Sequence, residues 1–403
     1  MSSSVLSAPA RGAAAAADPK GGLASTIILA IAAFVVVTTE FLLVGLLPVL
    51  ARDLKVSVSA AGQLVTLFAV VVMVFGPLLT AWLAHLERKR LFLCVLMLFA
   101  ASNALAAVAP NLWVLALARV VPALALPVFW GTASETAAQL AGPERAGRAV
   151  SLVYLGISGA MLFGIPLGTL AGDAIGWRGA FWALAALSLG AAVLLHAVMP
   201  SMTAGPRVGF TEQARILRNP FFVANVVLSV LVFTAMFTGY TYLAEVLEKV
   251  AQIPSAHVGW WLMGFGAVGL IGNWLGGLWV DRKPLATTFL FSALLAAGMV
   301  ATIALASVPF ALVMALAVWG VANTALYPIC QIRVMKAAPQ AQALAGTINV
   351  SAANGGIALG AVLGGASIPL WGVASVGLVG AAVAVLAAVA TLAVARMAGK
   401  KST

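Results

Sequence analysis

Charge is what this chain has least of: only 8% of its 403 residues are Asp, Glu, Lys or Arg, whereas 63% are apolar. A soluble domain is about one quarter charged, so an ordinary water-soluble fold is excluded. Acids are scarcer than bases, 11 against 22, for a formal net charge of +11. The 2 cysteines, Cys94 and Cys330, both fall in apolar stretches and offer neither a disulfide framework nor a thiolate metal pattern. The 3 histidines, His85, His196 and His257, are scattered at the ends of such stretches and form no ligand-spaced cluster. Neither a metal nor a cofactor is expected. A Walker-type phosphate loop is also missing. Nothing pairs a nucleophile with a base, so an enzyme is not expected.

What fills the chain instead is apolar sequence in twelve runs, roughly 26–50, 58–84, 90–109, 112–140, 149–172, 179–199, 220–247, 257–280, 285–306, 309–332, 343–368 and 371–397. Stretches of about 18 or more such residues can cross a hydrocarbon core roughly 30 Å thick. Most Lys and Arg fall in every second gap between the runs, among them Arg88, Lys89, Arg145, Arg148, Arg215, Arg218, Arg282, Lys283, Arg333 and Lys336. The alternate gaps hold Arg52, Lys55, Arg178 and Lys249, and Arg119 is left inside a run. By the positive-inside rule both termini are cytoplasmic. The basic excess therefore faces membrane lipid headgroups, and no nucleic-acid partner is expected.

The fold class that follows is an all-α membrane protein with twelve transmembrane helices in two six-helix bundles. Its expected organisation is a disordered cytoplasmic tail (1–24), an N-terminal six-helix bundle (25–199), a cytoplasmic linker (200–219), a C-terminal six-helix bundle (220–397) and a second tail (398–403). The linker carries two prolines and three arginines and no apolar span. Spans 5 and 11 are glycine-rich in similar places, with Gly164, Pro166, Gly168 and Gly172 against Gly355, Gly356, Gly360, Gly364 and Gly365. Small residues four apart let helices approach closely in lipid.

Four segments resemble the major facilitator superfamily, and within it the bacterial drug:proton antiporter-like group of sugar, nucleoside and drug efflux transporters. They are residues 39–54, running Thr-Glu-Phe-Leu-Leu-Val-Gly, the turn after span 2, Arg119 on span 4, and Gly-Ile-Pro-Leu-Gly from Gly164 on span 5. The turn departs from the family's Gly-x-x-x-Asp-Arg-x-Gly-Arg-Lys: Thr80, Ala84, His85 and Glu87 replace four of its members, while Arg88 and Lys89 remain. The second-half copy keeps Gly277, Asp281 and Arg282. The resemblance implies a secondary transporter of the bacterial inner membrane, working as a monomer by alternating access. It implies proton-coupled efflux of a small neutral or amphiphilic solute, such as a sugar, a nucleoside or an amphenicol. A proton-coupled importer, or a non-transporting membrane sensor, are the alternative readings.

Candidate site residues are those that lipid should reject. An ionised group at bilayer depth is costly unless paired or hydrated, so intramembrane charge marks function. Glu40 sits about 21 Å along span 1, and Arg119 about 10 Å in from the other end of span 4, which brings them to one level. A carboxylate whose hydration alternates between two sides can exchange protons, and Glu40 with Arg119 is the expected coupling pair. A fixed pair that only orders the bundle is the structural alternative. Asn323, Tyr327 and Gln331 recur every four residues on span 10 and share one face. With Asn354, Tyr154 and an aromatic wall at Trp130 they are expected to line the substrate cavity, or else to bond neighbouring helices. Arg88, Lys89, Glu135, Asp281 and Arg282 are the expected gate or charge lock, with Glu87 or Glu135 as partner of Arg88. Glu245 and Glu248 are expected to be solvated charges closing span 7.

Overall fold

The computed structural model describes residues 19–83, 86–141, 146–202, 214–280, 282–339 and 342–399, and the regular structure among them is helical. The first half holds α1 (Pro19–Asp53), α2 (Val58–Leu83), α3 (Arg88–Ala107), α4 (Leu112–Ala141), α5 (Ala146–Gly159), α6 (Ile165–Ala174) and α7 (Gly176–Val198). The second holds α8 (Pro220–Tyr240), α9 (Leu243–Lys249), α10 (Ser255–Val280), α11 (Pro284–Ala304), α12 (Pro309–Ala337), α13 (Gln342–Trp371) and α14 (Ser375–Gly399). Twelve spans long and apolar enough to cross a membrane result. Helices are what lipid demands, because each backbone polar group must be satisfied within its own segment.

Four local features depart from twelve unbroken spans joined by irregular segments. Helix α1 starts at Pro19, inside the stretch assigned to the tail; proline is well placed there, since the first helical N–H needs no partner. Span 5 is interrupted by a π-helical turn, Ala160–Gly164, between α5 and α6. The Ile165 N–H reaches back five residues to the Ala160 carbonyl, and Pro166 has no N–H to give. The Met161 carbonyl is thereby left without a donor at α-helical spacing. Span 7 breaks at Thr241 and Tyr242, which separate α8 from α9. The linker is not wholly irregular: Ala214–Arg218 forms a 3-10 turn whose Ile216 is buried with Phe222 and Val334.

Glycine sets how closely the helices pack. A Cβ at Gly164 would lie 2.0 Å from Thr38 Oγ1, one at Gly168 2.4 Å from Leu42, and one at Gly172 2.3 Å from Leu46. These contacts climb α1 one turn at a time. The second half repeats the device against α8, with Gly356 against Phe233, Gly360 against Thr234 and Thr238, and Gly364 against the Thr238 carbonyl and the ring of Tyr242 just beyond the helix. The sequence echo between spans 5 and 11 is therefore a packing echo, each span laid on the first span of its own half.

The halves join along α2 with α13 and along α6 with α10. Ser59 donates to the Gly365 carbonyl, Arg52 pairs with Glu248 at 2.9 Å, and Gly266 lies against the Met161 carbonyl. These contacts sit in mid-span or toward the face opposite the chain termini. Toward the basic face, where the termini lie, the core divides. One cluster around Phe92, Phe99 and Phe129 belongs to the first half, and another around Ile216, Phe222 and Val334 to the second. The named contacts between the halves thus gather in mid-span and at one face, while the clusters toward the other each belong to a single half.

Candidate functional site

Arg119 is 1% exposed and lies over the Phe68 ring, 4.4 Å from its centroid. Its guanidinium donates to the carbonyls of Thr39 at 2.6 Å and Glu40 at 2.8 Å. Asn103 supports the same turn by donating to Thr39 Oγ1 at 3.1 Å. The expected pair thus meets through the backbone of α1. Among the described residues the Glu40 carboxyl makes no hydrogen bond or ion pair, and it remains partly exposed. Arg119 positions the α1 turn; Glu40 presents its acid to the space between the halves.

Across that space stands an aromatic cluster from the second half. Phe233 meets Tyr327 at 5.1 Å, Phe237 meets Tyr240 at 5.6 Å, and Tyr240 stacks on Phe265 at 5.7 Å. Phe41, beside Glu40, reaches Phe237 at 5.8 Å and closes the cluster from the first half. Glu40 and Tyr240 both lie within electrostatic reach of the Tyr327 hydroxyl. That hydroxyl is buried without a partner, and so are both amide atoms of Asn323. A small cavity of about 10 Å³, enough for one water, is lined by Met161, Tyr240 and Asn323 among others. Buried polar groups left open in this way are places where water or a ligand completes the hydrogen bonding.

The other expected members divide. Gln331 lies two turns beyond Asn323 and accepts from Asn349 Nδ2 at 2.7 Å, joining α12 to α13. Asn354 donates to its own helix at Val350. Trp130 is half-buried and packs edge-on to Phe129 at 5.2 Å. The side chain of Tyr154 lies outside the described residues. Tyr240 was missed in the sequence; the available signal was a tyrosine, one of only 4, within the apolar run 220–247.

A family model described as the Major Facilitator Superfamily matches residues 29–343. The inner membrane transport protein YdhP of Escherichia coli K12 is 38% identical over 340 residues, covering 84% of this chain and 87% of its own length. A protein described as a probable sugar efflux transporter, from Helicobacter acinonychis, is 29% identical over 91% of this chain and 94% of its own. The chain belongs to the Major Facilitator Superfamily. Its fold agrees: a bacterial homologue of the human lysosomal transporter Spinster, solved inward-facing and unoccupied, gives a TM-score of 0.75. That match covers 94% of this chain and 96% of the other at 15% identity. The protein is a multi-pass membrane transporter and not an enzyme.

Membership directs attention to the turn after α2, where the family motif is eroded. Arg88 is 2% exposed and pairs with Glu135 at 2.9 Å, joining α3 to α4 within the first half. Glu87 takes another role. Its carboxylate caps α3 by accepting from the Lys89 and Arg90 N–H groups, and it also accepts from Met202 N at 3.0 Å. Arg88 N donates back to the Met202 carbonyl at 3.2 Å, so the turn clasps the start of the linker in both directions. Asp281 lies outside the described residues, and Arg282 is exposed on the second-half turn. Arg333 corrects the sequence reading, which placed it in a basic loop. It is buried in α12 and donates to Ser229 Oγ at 2.8 Å and the Asn225 carbonyl at 3.1 Å. Its signal was position: it falls one residue past an apolar run that the helix outlasts. Among the described residues, the ion pair between the halves lies at the opposite face, where Arg52 meets Glu248, so Glu248 is a tie between the halves.

The Glu87 clasp predicts a pH dependence. Burial opposes its charge, yet the donors from Met202, Arg90 and Lys89 outweigh it and hold the carboxyl below its usual range. A group held low when folded contributes stability that is complete above its unfolded value, near 4.5, and lost as pH falls through the folded value. Melting midpoints of the wild type and Glu87→Gln are expected to differ above about pH 5 and to converge in more acid solution. A gap that does not change with pH would show that charge plays no part in the clasp.

Proposed function

We propose that this transporter exports a small neutral, hydroxyl-bearing solute in exchange for protons, with Glu40 as the proton-carrying group. The observation that carries the reading is the placement of Glu40: a carboxyl within electrostatic reach of Arg119 but with no hydrogen bond among the described residues, near an aromatic cluster whose Tyr327 hydroxyl and Asn323 amide are unsatisfied. Aromatic faces suit the C–H face of a sugar ring, and the amide and hydroxyls suit its oxygens. Few charges line the space, which disfavours a polyanion. The relative described as a sugar efflux transporter supports the same class; a nucleoside or an amphenicol shares the chemistry. The membrane is the bacterial inner membrane, and the basic face with both termini is cytoplasmic. The structure then corresponds to a state open to the cytoplasm, with Arg52 and Glu248 holding the outer face shut.

Reconstituted vesicles test this. Adding a sugar is expected to release protons from a detergent-purified sample and to drive a pH-dependent flux across the vesicle membrane. Flux that ignores the pH gradient would remove the coupling, and binding with no flux would favour a sensor.

A further inference from the structure

At the face opposite the termini the halves flank a second pocket of about 260 Å³ that opens to the surface, with Arg52, Ser57 and Lys249 exposed at its rim. Its nearest α1 residue, Pro48, lies about 12 Å further along the helix than Glu40, so the two sites are separate. Pro48, Val56 and Val58 from the first half form apolar walls, Ser57 adds a hydroxyl, and Glu245 and Lys249 enter from α9 of the second half. Glu245 is the unusual member. It is only 6% exposed, lines the cavity, and has no hydrogen bond or ion pair among the described residues. The sequence had assigned it to a solvated helix end. Arg52, the closest guanidinium on the cavity wall, is engaged by Glu248. A carboxylate without protein donors keeps its hydrogen-bonding capacity for water or a ligand in the pocket.

The charges indicate what kind of ligand fits. Arg52 offsets Glu248, and Lys249 offsets Glu245, so a strongly charged ligand of either sign meets a like charge. A hydroxyl group donates and accepts, and it suits a wall carrying both a carboxylate and an ammonium. The volume falls just below the roughly 300–1,000 Å³ of drug-sized pockets, which points to a single ring. We propose that this cavity is a second solute site, for a neutral polyhydroxylated ring, in which Glu245 accepts two of its hydroxyls. Because the walls come from both halves, an occupant bridges α1 and α2 to α9 and holds this face closed.

The test uses the full chain in lipid nanodiscs, titrated with glucose and with myo-inositol and read by melting midpoint and calorimetry. An Asn323→Ala background disables the central site, so what binds there reports the second cavity. Polyol binding is expected to persist in that background and to weaken about tenfold or more with Glu245→Gln. Val56→Trp, which fills the cavity without touching the acid, is expected to abolish it and carries the test should Glu245→Gln fail to fold. Binding that is absent in the Asn323→Ala background, or indifferent to both Glu245→Gln and Val56→Trp, would overturn the proposal. So would a preference for cyclohexylammonium or leucine over the polyols. Failure of the central reading is scored apart from this, by wild-type flux.

Discussion

Glu40→Gln is expected to reduce pH-gradient-driven flux by about 100-fold or more, with solute binding and folding preserved. The substitution keeps the shape of the side chain and removes the exchangeable proton. Its cost in stability should be about 1 kcal/mol or less, because no hydrogen bond among the described residues is lost and only the attraction to the Arg119 guanidinium goes with the charge. Solute counterflow, which needs no net proton movement, should survive in the variant. The measurement is a paired one: substrate-elicited proton release and counterflow on the same vesicles. Proton release equal to wild type would remove Glu40 from the coupling role, and loss of counterflow would make it a binding group instead.

Arg119 is expected to give the largest combined effect on stability and transport. One guanidinium holds two successive carbonyls of α1 and covers the Phe68 ring, so it sets where the Glu40 backbone stands. Hydrogen bonds from a charged group contribute about 1.5–3 kcal/mol each, and the cost of burying the guanidinium offsets part of that. Arg119→Ala also leaves a cavity, so a net loss of about 2–4 kcal/mol is expected. Arg119→Lys should recover little of it, because an ammonium does not span two carbonyls as a planar fork does. The two roles part in the flux normalised to folded protein. A positioning role predicts that Arg119→Lys folds with a modest loss of stability but still transports about tenfold less than wild type. Normal flux per folded molecule would reduce Arg119 to a strut.

Much of this was legible along the chain. Twelve apolar runs and the alternation of basic gaps follow from one-dimensional facts, since lipid sorts residues by polarity and length alone. Glu40 and Arg119 stood out for the same reason: charge within a span is conspicuous wherever the neighbours are. The spacing of Asn323 and Tyr327 marked one helix face. It did not reveal that Gln331, on the same face, would be taken up by Asn349, or that Asn354 would turn back on its own helix. Polar side chains find partners that sequence distance does not indicate.

The sequence by itself determined the spans, their division into two halves and the small-residue faces, because burial in lipid constrains every residue independently. Only the tertiary structure decided that Arg119 hydrogen-bonds the α1 backbone and not the acid, that Tyr240 joins the central cluster, and that Glu245 is largely buried on the wall of a pocket. It also decided that the ion pair between the halves lies at Arg52 and Glu248, while the family's eroded turn clasps the linker through Glu87. Each of these depends on which side chains are brought within about 3 Å across residues far apart in the chain, and hydrogen bonds and ion pairs are short-range forces that only the packed helices can assign.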